Sequence, residues 1–326
     1  MLTRLTQILV KAEGTTGTWN APGETDGVLA YDVVATPAFE QFKRDPMHAD
    51  LSRYKSLSGK QTSSIVFRTE IRGDGLTVNP PTNIQVLLLA CKMAVSGSTI
   101  VPKSSTDTTL SMQIEEDGIH KKFVGCGGNV RITGTAGEPM FFEFTFTGTI
   151  HDIAAGSLTT LSGIPTTTPP VLISALFTTN VGESQSHLIN TVEFDLQNEV
   201  VMSADINAKT GVKAAKIVGR NPVGSFDPEY NTTYDWLDQI ISQTEGTLSL
   251  TLGSAQYNNI RITCPAIRFL AMDPQDRDGI RALTVPFEMN RSAGNDEIVL
   301  DWSDLLTVNV SDSVTLAEDI DGSIPT

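Results

Sequence analysis

The sequence predicts a mainly β chain made of two tandem units, each with one helix. Thr109-Leu-Ser-Met-Gln-Ile114 and Thr247-Leu-Ser-Leu-Thr-Leu252 read as one strand written twice, 138 residues apart (247 − 109). Short segments that alternate apolar and polar residues dominate the chain, the period of half-buried strands. One helical pattern precedes each copy of the repeated strand.

Each unit opens with a strand, Ala38-Phe-Glu40 in the first and Glu193-Phe-Asp195 in the second. Alternation assigns Phe39, Phe194, Ile65 and Phe67 to the core and Glu40, Glu193 and Asp195 to the opposite face. A long polar segment follows in each unit, roughly 43–60 and 198–220, ending in Gly59-Lys-Gln61 and Gly219-Arg-Asn221. The first helix is predicted over about 83–94, where Thr82 and Gln85 form a capping-box pattern after Pro81. Its residues Ile84, Val86, Leu87, Leu88, Leu89 and Met93 leave little polar face, so it is expected to be buried. The second is predicted over about 233–244, capped by Asn231 or Thr232 and stopped at Gly246, with Trp236, Leu237, Ile240 and Ile241 as its apolar stripe. Residues 95–108 read as an insertion in the first unit.

Two further strands follow the repeated one in each half. Asn129-Val-Arg-Ile132 matches Ala266-Ile-Arg-Phe269 at an offset of 137 (266 − 129). Met140-Phe-Phe-Glu-Phe-Thr-Phe-Thr147 matches Leu283-Thr-Val-Pro-Phe-Glu-Met289, with Phe146 against Phe287 at an offset of 141 (287 − 146). Met140, Phe142, Phe144 and Phe146 fall on one face, and so do Leu283, Val285, Phe287 and Met289. Glu143 and Glu288 fall on the other. Residues 154–170, rich in Ser, Thr, Gly and Pro, form the linker. The units are thus 1–153 and 171–302, followed by an acidic segment, 303–326.

The chain has 326 residues, enough for two ordinary cores, and a formal charge of −15. A non-specific nucleic-acid binder carries the opposite sign, because it neutralises phosphates. Residues 1–160 hold 16 acids and 14 bases (net −2), and residues 161–326 hold 22 and 9 (net −13). Cys91, Cys126 and Cys264 are odd in number and far apart, which argues against a disulfide framework and against a zinc site. The apolar run 8–10 after Arg4 is too short for a secretory signal, and no stretch approaches the roughly 20 apolar residues of a membrane span.

No catalytic constellation emerges, and no cofactor or metal is expected. His48, His120, His151 and His187 lack a second ligand at helical or turn spacing and read as surface or turn residues. Gly125-Cys-Gly-Gly128 precedes a strand rather than a helix, so it reads as a β-turn or bulge and not as a phosphate loop. Asp273-Pro-Gln-Asp-Arg-Asp-Gly279 lacks calcium-loop spacing and ends in a hairpin signal, Asp-Gly. Arg131 and Arg268 occupy matching strand positions, either as solvent-facing residues or in a pairing shared by both units.

The order of these elements resembles the major tail tube proteins of long-tailed (siphovirus-like) bacteriophages, in the subgroup with two tube domains in tandem. The likeness spans about residues 1–300. It rests on the opening run Leu2-Thr-Arg-Leu-Thr-Gln-Ile-Leu-Val-Lys-Ala-Glu-Gly-Thr-Thr-Gly-Thr18, on Asn198-Glu-Val-Val201, on Asp278-Gly-Ile280 and on Ser292-Ala-Gly-Asn-Asp-Glu297. The resemblance implies tail-tube-type β-sandwich or half-barrel domains, each with one flanking helix. It implies a non-enzymatic virion protein, in the host cytoplasm before assembly and in the tail afterwards. Its partners would be copies of itself, in trimeric pseudo-hexameric rings stacked into a tube, with tape measure and tail terminator or tip proteins at the ends. DNA would pass without specific binding, and no membrane is involved. The alternative is a β-sandwich adhesion or carbohydrate-binding module, which usually presents exposed aromatics; here there are only 3 Trp and 5 Tyr.

Two sets of residues follow as candidates. Glu40, Glu193, Asp195, Glu143 and Glu288 are expected to face the lumen, since a tube that passes DNA should not grip it. Lys43, Arg44, Arg53, Lys55 and Lys60 in the first long loop, with Lys209, Lys213, Lys216 and Arg220 in the second, are expected to dock on the acidic surface of the next ring.

Overall fold

The computed structural model describes residues 5–303. The first half runs β1 (Thr6–Ala12), β2 (Gly27–Val28), β3 (Tyr31–Phe42), β4 (Leu57–Glu70), α1 (Thr82–Ala90), β5 (Met93–Ser96), β6 (Thr99–Pro102), β7 (Leu110–Glu116), β8 (Ile119–Thr135) and β9 (Phe141–Ala155). The second runs β10 (Leu176–Val181), β11 (Glu183–Gln185), β12 (Ile189–Asp195), β13 (Asn198–Ala204), β14 (Val212–Arg220), β15 (Val223–Pro228), α2 (Trp236–Ser242), β16 (Gly246–Ala255), β17 (Asn258–Phe269), β18 (Asp273–Arg277), β19 (Ile280–Asn290) and β20 (Val299–Asp301). The predicted segment 303–326 lies outside the described residues, apart from Ser303.

The mainly β prediction holds, and so does the repeated strand. β7 pairs Leu110 with Cys126 of β8, and β16 pairs Leu248 with Cys264 of β17. Both partners are 138 residues apart (248 − 110 and 264 − 126). Alternation also holds in the closing strands. Met140, Phe142, Phe144 and Phe146 are fully buried, as are Val285 and Phe287, with Leu283 and Met289 nearly so. The rings of Phe67, Phe144 and Phe146 lie 5.5–6.0 Å apart. Each such burial contributes about 2–3 kcal/mol from apolar area.

Long strands bend between two layers. The N-terminal part of β8 pairs with β7, and its C-terminal part, 131–135, pairs with β12. The register shift between Val124 and Gly127 makes the glycine run a bulge, as expected, and a bulge is where a strand turns from one layer to the other. The buried apolar residues form one cluster through both halves. Trp302 closes it: its indole donates to the Arg72 carbonyl across the halves at 3.2 Å.

Several local expectations need correction. Phe39 is half exposed, not core, because β3 and β4 run on as an arm past the packed layers. α1 starts at Thr82, so the side chain of Thr82 is not its cap; Pro81 precedes it without a side-chain bond. α2 is capped by Asp235, whose carboxylate accepts from the Asp238 N–H, and stops at Gln243, which is left-handed at φ 55°. Gly246 instead opens β16. Leu237 and Ile241 are exposed, so only Trp236 and Ile240 face the core. Residues 95–108 take in most of the β5–β6 hairpin, Met93–Pro102, which has no counterpart between α2 and β16, so the insertion is present and is ordered. The segment 198–220 is an ordered hairpin, β13–β14, not a loop. Asp278 and Gly279, at φ 53° and 85°, make the expected hairpin turn between β18 and β19.

Candidate assembly surface

Seven ladders link eight strands into one sheet across both halves, in the order β3-β4-β9-β8-β12-β15-β19-β17. Its centre is the β8–β12 ladder, which pairs Ile132 with Phe194 and Arg131 with Asp195. The halves therefore meet edge to edge, through backbone bonds. Among the described residues, the outer strand β3 pairs with β4 alone, and β17 beyond Ile267 pairs with β19 alone. An edge of this kind presents unpaired N–H and C=O groups and is a template for another strand.

One face of this sheet is the core. The other carries four of the five predicted lumen residues: Glu143, Glu193, Asp195 and Glu288. They are not bare charges. The Arg131 guanidinium donates to both oxygens of Glu193, at 2.6 and 2.5 Å, and lies 3.5 Å from Glu143. Asn129 donates to Asp195 at 2.6 Å, and Arg268 pairs with Glu288 at 3.0 Å. On the same face Arg68 pairs with Asp32 at 2.7 Å. The hydrogen bond to Glu193 and the surrounding acids hold the Arg131 pKa above its usual value despite some burial. Arg131 and Arg268 thus share a role, each opposite a glutamate of the closing strand. By that criterion Glu143 aligns with Glu288 at 145 residues (288 − 143), four more than the offset read from Phe146. Glu40 is not part of this face; it lies on the arm, beside Gly59.

The two long segments behave differently. The β13–β14 arm leaves the sheet at Gln197, which is left-handed at φ 45°, and folds back across the first half. Val212, Ala214, Ala215 and Ile217 are buried there, while Lys209, Lys213 and Lys216 remain exposed on its outer face. Gly125 receives it at φ 61°, and a Cβ there would stand 2.7 Å from the Ala214 Cα. Asn198 donates to the Cys91 carbonyl at 2.9 Å, Lys92 to the Ile217 carbonyl at 2.7 Å, and Gln61 N–H to the Thr210 carbonyl at 3.0 Å. Arg220 is withdrawn from solvent: it binds Glu297 at 2.8 Å and the Lys103 carbonyl at 3.0 Å. The β3–β4 arm instead runs on beyond the β4–β9 ladder, which ends at Ser63 and Gly148. Lys43, Arg44, Arg53, Lys55 and Lys60 are all exposed along it.

Sequence reasoning missed two carboxylates that hold this frame, Glu115, which is buried, and Glu13, which is half-buried. Glu115 accepts from Gln7, Gln113 and both the N–H and hydroxyl of Thr159, at 2.5–2.7 Å, tying β7 to β1 and to the linker. Burial pushes its pKa up; the bonds from Thr159, Gln7 and Gln113 outweigh that and leave it below the usual value. Glu13 accepts from Gly17, Thr109, Ser111 and Gly125, holding the bulge that seats the second arm. Neither carries a motif, because apart from Gln113 and the Gly17 N–H their partners are 44–112 residues distant. The histidine reading also fails at His187. It sits among Phe226, Tyr234 and Trp236, bonded to Thr179 at 2.9 Å, and burial pushes its pKa down to about 4.

The comparisons with known proteins fit this frame. The family model described as phage tail tube protein matches residues 3–290. No curated protein matches the chain. A mainly β frame whose long strands bend between layers, matched over nearly its whole length, has one consequence: the chain belongs to the phage tail tube protein family and is a structural component of the tail.

Proposed function

We propose that copies of the chain close into rings through the outer edges of the eight-stranded sheet, and that the rings stack into a tube through which DNA passes. One observation carries the reading. The halves of a single chain are already joined by an edge-to-edge ladder, β8 to β12, and two further stretches are open to another strand: the outer side of β3, and β17 at Arg268 and Phe269, beyond its ladder with β16. Joining β17 of one copy to β3 of the next repeats the junction between chains. With two tandem tube domains per chain, 1–153 and 171–302 joined by the linker 154–170, three chains complete a pseudo-hexameric ring.

The non-core face of the sheet then lines the lumen, with Glu143, Glu193, Asp195 and Glu288 on it. Its arginines are engaged by acids, so they offer phosphates little free positive charge. A duplex meets a surface that is net acidic and does not hold it. The lysines on the outer face of the second arm, Lys209, Lys213 and Lys216, meet the acidic surface of the next ring. Tape measure, terminator and tip proteins complete the tail, and the subunit waits in the host cytoplasm before assembly. The chain acts as a building part and not as an enzyme.

Negative-stain electron microscopy of the purified protein at high concentration tests this. Rings or tubes about 10 nm wide are expected, from two β layers around a lumen that admits a duplex. A chain that stays monomeric at every concentration overturns it.

A further inference from the structure

The two arms pose an asymmetry. The second is folded onto the first half of its own chain, with its apolar face buried. The first stands free with its apolar residues in solvent: Met47 and Leu51 are fully exposed, and Phe39 and Phe42 are half exposed. Exposed apolar side chains in a row on one hairpin are costly unless something covers them. Within this chain nothing among the described residues does.

The folded arm points to where the free one belongs. β13–β14 lies against the end of α1, where Lys92 is left-handed at φ 60°, and over the adjoining stretch of β8. The second half has the same device. α2 ends at Gln243, left-handed at φ 55°, and packs on β17 as α1 packs on β8. There the outer face of the helix is open: Leu237 and Ile241, one turn apart, are both more than half exposed. Charge agrees. The free arm, 43–60, holds five bases and two acids, whereas 221–260 holds five acids and no Lys or Arg. Asp235, Asp238 and Glu245 lie on α2 or beside it.

We infer that the β3–β4 arm of one copy docks across α2 of a second copy, setting its apolar residues on Leu237 and Ile241 and its bases among the acids around the helix. The contact rests on the assembly reading above and deepens it: the arm clasps a neighbour as β13–β14 clasps its own chain. The first arm's bases thereby serve this contact and not the next ring. Apolar burial supplies the affinity, and the opposite charges guide encounter. The root of the arm lies near Gly59, the counterpart of Gly219 in the folded arm.

Photocrosslinking of the full chain tests the contact. The residue at Tyr54 is replaced by p-benzoylphenylalanine, and equal amounts of light and nitrogen-15 protein are mixed before assembly. Adducts joining the arm to a peptide within 230–245, with mixed isotope masses, are expected. Adducts within one chain, or to another surface of a second copy in particles that do assemble, overturn the inference and leave the ring reading standing. A chain that remains monomeric and uncrosslinked overturns both. Independently, Leu237→Asp with Ile241→Asp should leave the circular dichroism of the monomer unchanged, since both side chains are in solvent. The concentration needed for assembly should rise by about tenfold or more, the equivalent of about 1.4 kcal/mol per contact. Normal assembly of that variant overturns the contact.

Discussion

Arg131 grips Glu193 with two parallel bonds across the junction between the halves, at 2.6 and 2.5 Å. The pair sits directly over the β8–β12 ladder and is the side-chain counterpart of the backbone joint. It is also partly solvent-exposed, 44% for the arginine and 34% for the glutamate, so water screens much of its Coulomb energy.

Arg131→Ala should therefore lower stability by only about 1 kcal/mol. Arg131→Lys should recover little of it, because an ammonium cannot make the two-pronged contact. Chemical denaturation in a double-mutant cycle with Glu193→Gln measures the coupling. A coupling of zero would mean that the backbone ladder holds the joint alone.

Gly125→Ala places a methyl where the second arm must lie, at a φ that L residues seldom adopt. The cost should be about 1–3 kcal/mol. Hydrogen exchange should then show lost protection in 198–220 with the core strands unchanged. Full protection of the arm in the variant would contradict its docking role.

Glu115→Gln keeps the shape of the side chain but turns its amide hydrogens toward the donors around it. A loss of about 1–3 kcal/mol is expected at neutral pH. The folded-state pKa of Glu115 is depressed, so its contribution is present above the unfolded carboxylate value and is lost as pH falls through the folded one. The melting temperatures of wild type and variant should converge in acid. A constant gap at all pH values would count against the charged network.

His187 works in the same direction by a different route. Its folded pKa is near 4 against an ordinary 6.5, so between those values the unfolded chain binds more protons. Stability should be intact above about pH 6.5 and fall below it, by at most about 1.4 kcal/mol per pH unit, down to pH 4. His187→Phe keeps the aromatic packing and should abolish this component of the slope. Thermal melts of both proteins across that window decide the matter.

If the acidic face lines the lumen, Glu143→Lys with Glu288→Lys should make assembled tubes retain linear duplex DNA at low salt and release it at high salt. Cosedimentation measures this. Tubes of the variant that retain no more DNA than the wild type would place the face elsewhere.

Much of the fold was legible because it is local. The alternation of Phe142, Phe144 and Phe146, the duplicated strands, the Asp278-Gly279 turn and the glycine bulge all follow from period-2 patterning and the φ freedom of glycine. The helices were legible in existence and less so in their ends. Asp235 capped α2 instead of the neighbouring Asn231 or Thr232, a choice made by packing around Trp236. The arms were not legible at all. Residues 43–60 and 198–220 both carry bases, yet the second, richer in Val, Ala and Ile, is folded and the first is free.

By itself, the sequence determined the β class, the repeated strand, the faces of the closing strands and a place off the core for Glu143, Glu193, Asp195 and Glu288, though it wrongly added Glu40 to that face. Each depends on neighbours in the chain or on a repeat of the same pattern. Only the tertiary structure decided that those acids share one sheet with their arginines, that β8 meets β12 edge to edge, that Glu115 is buried and fully bonded, and that Arg220 belongs to Glu297. Apart from Gln113 beside Glu115, those partners lie 12–108 residues away, and a side chain meets them only after the long strands have bent and the two halves have joined.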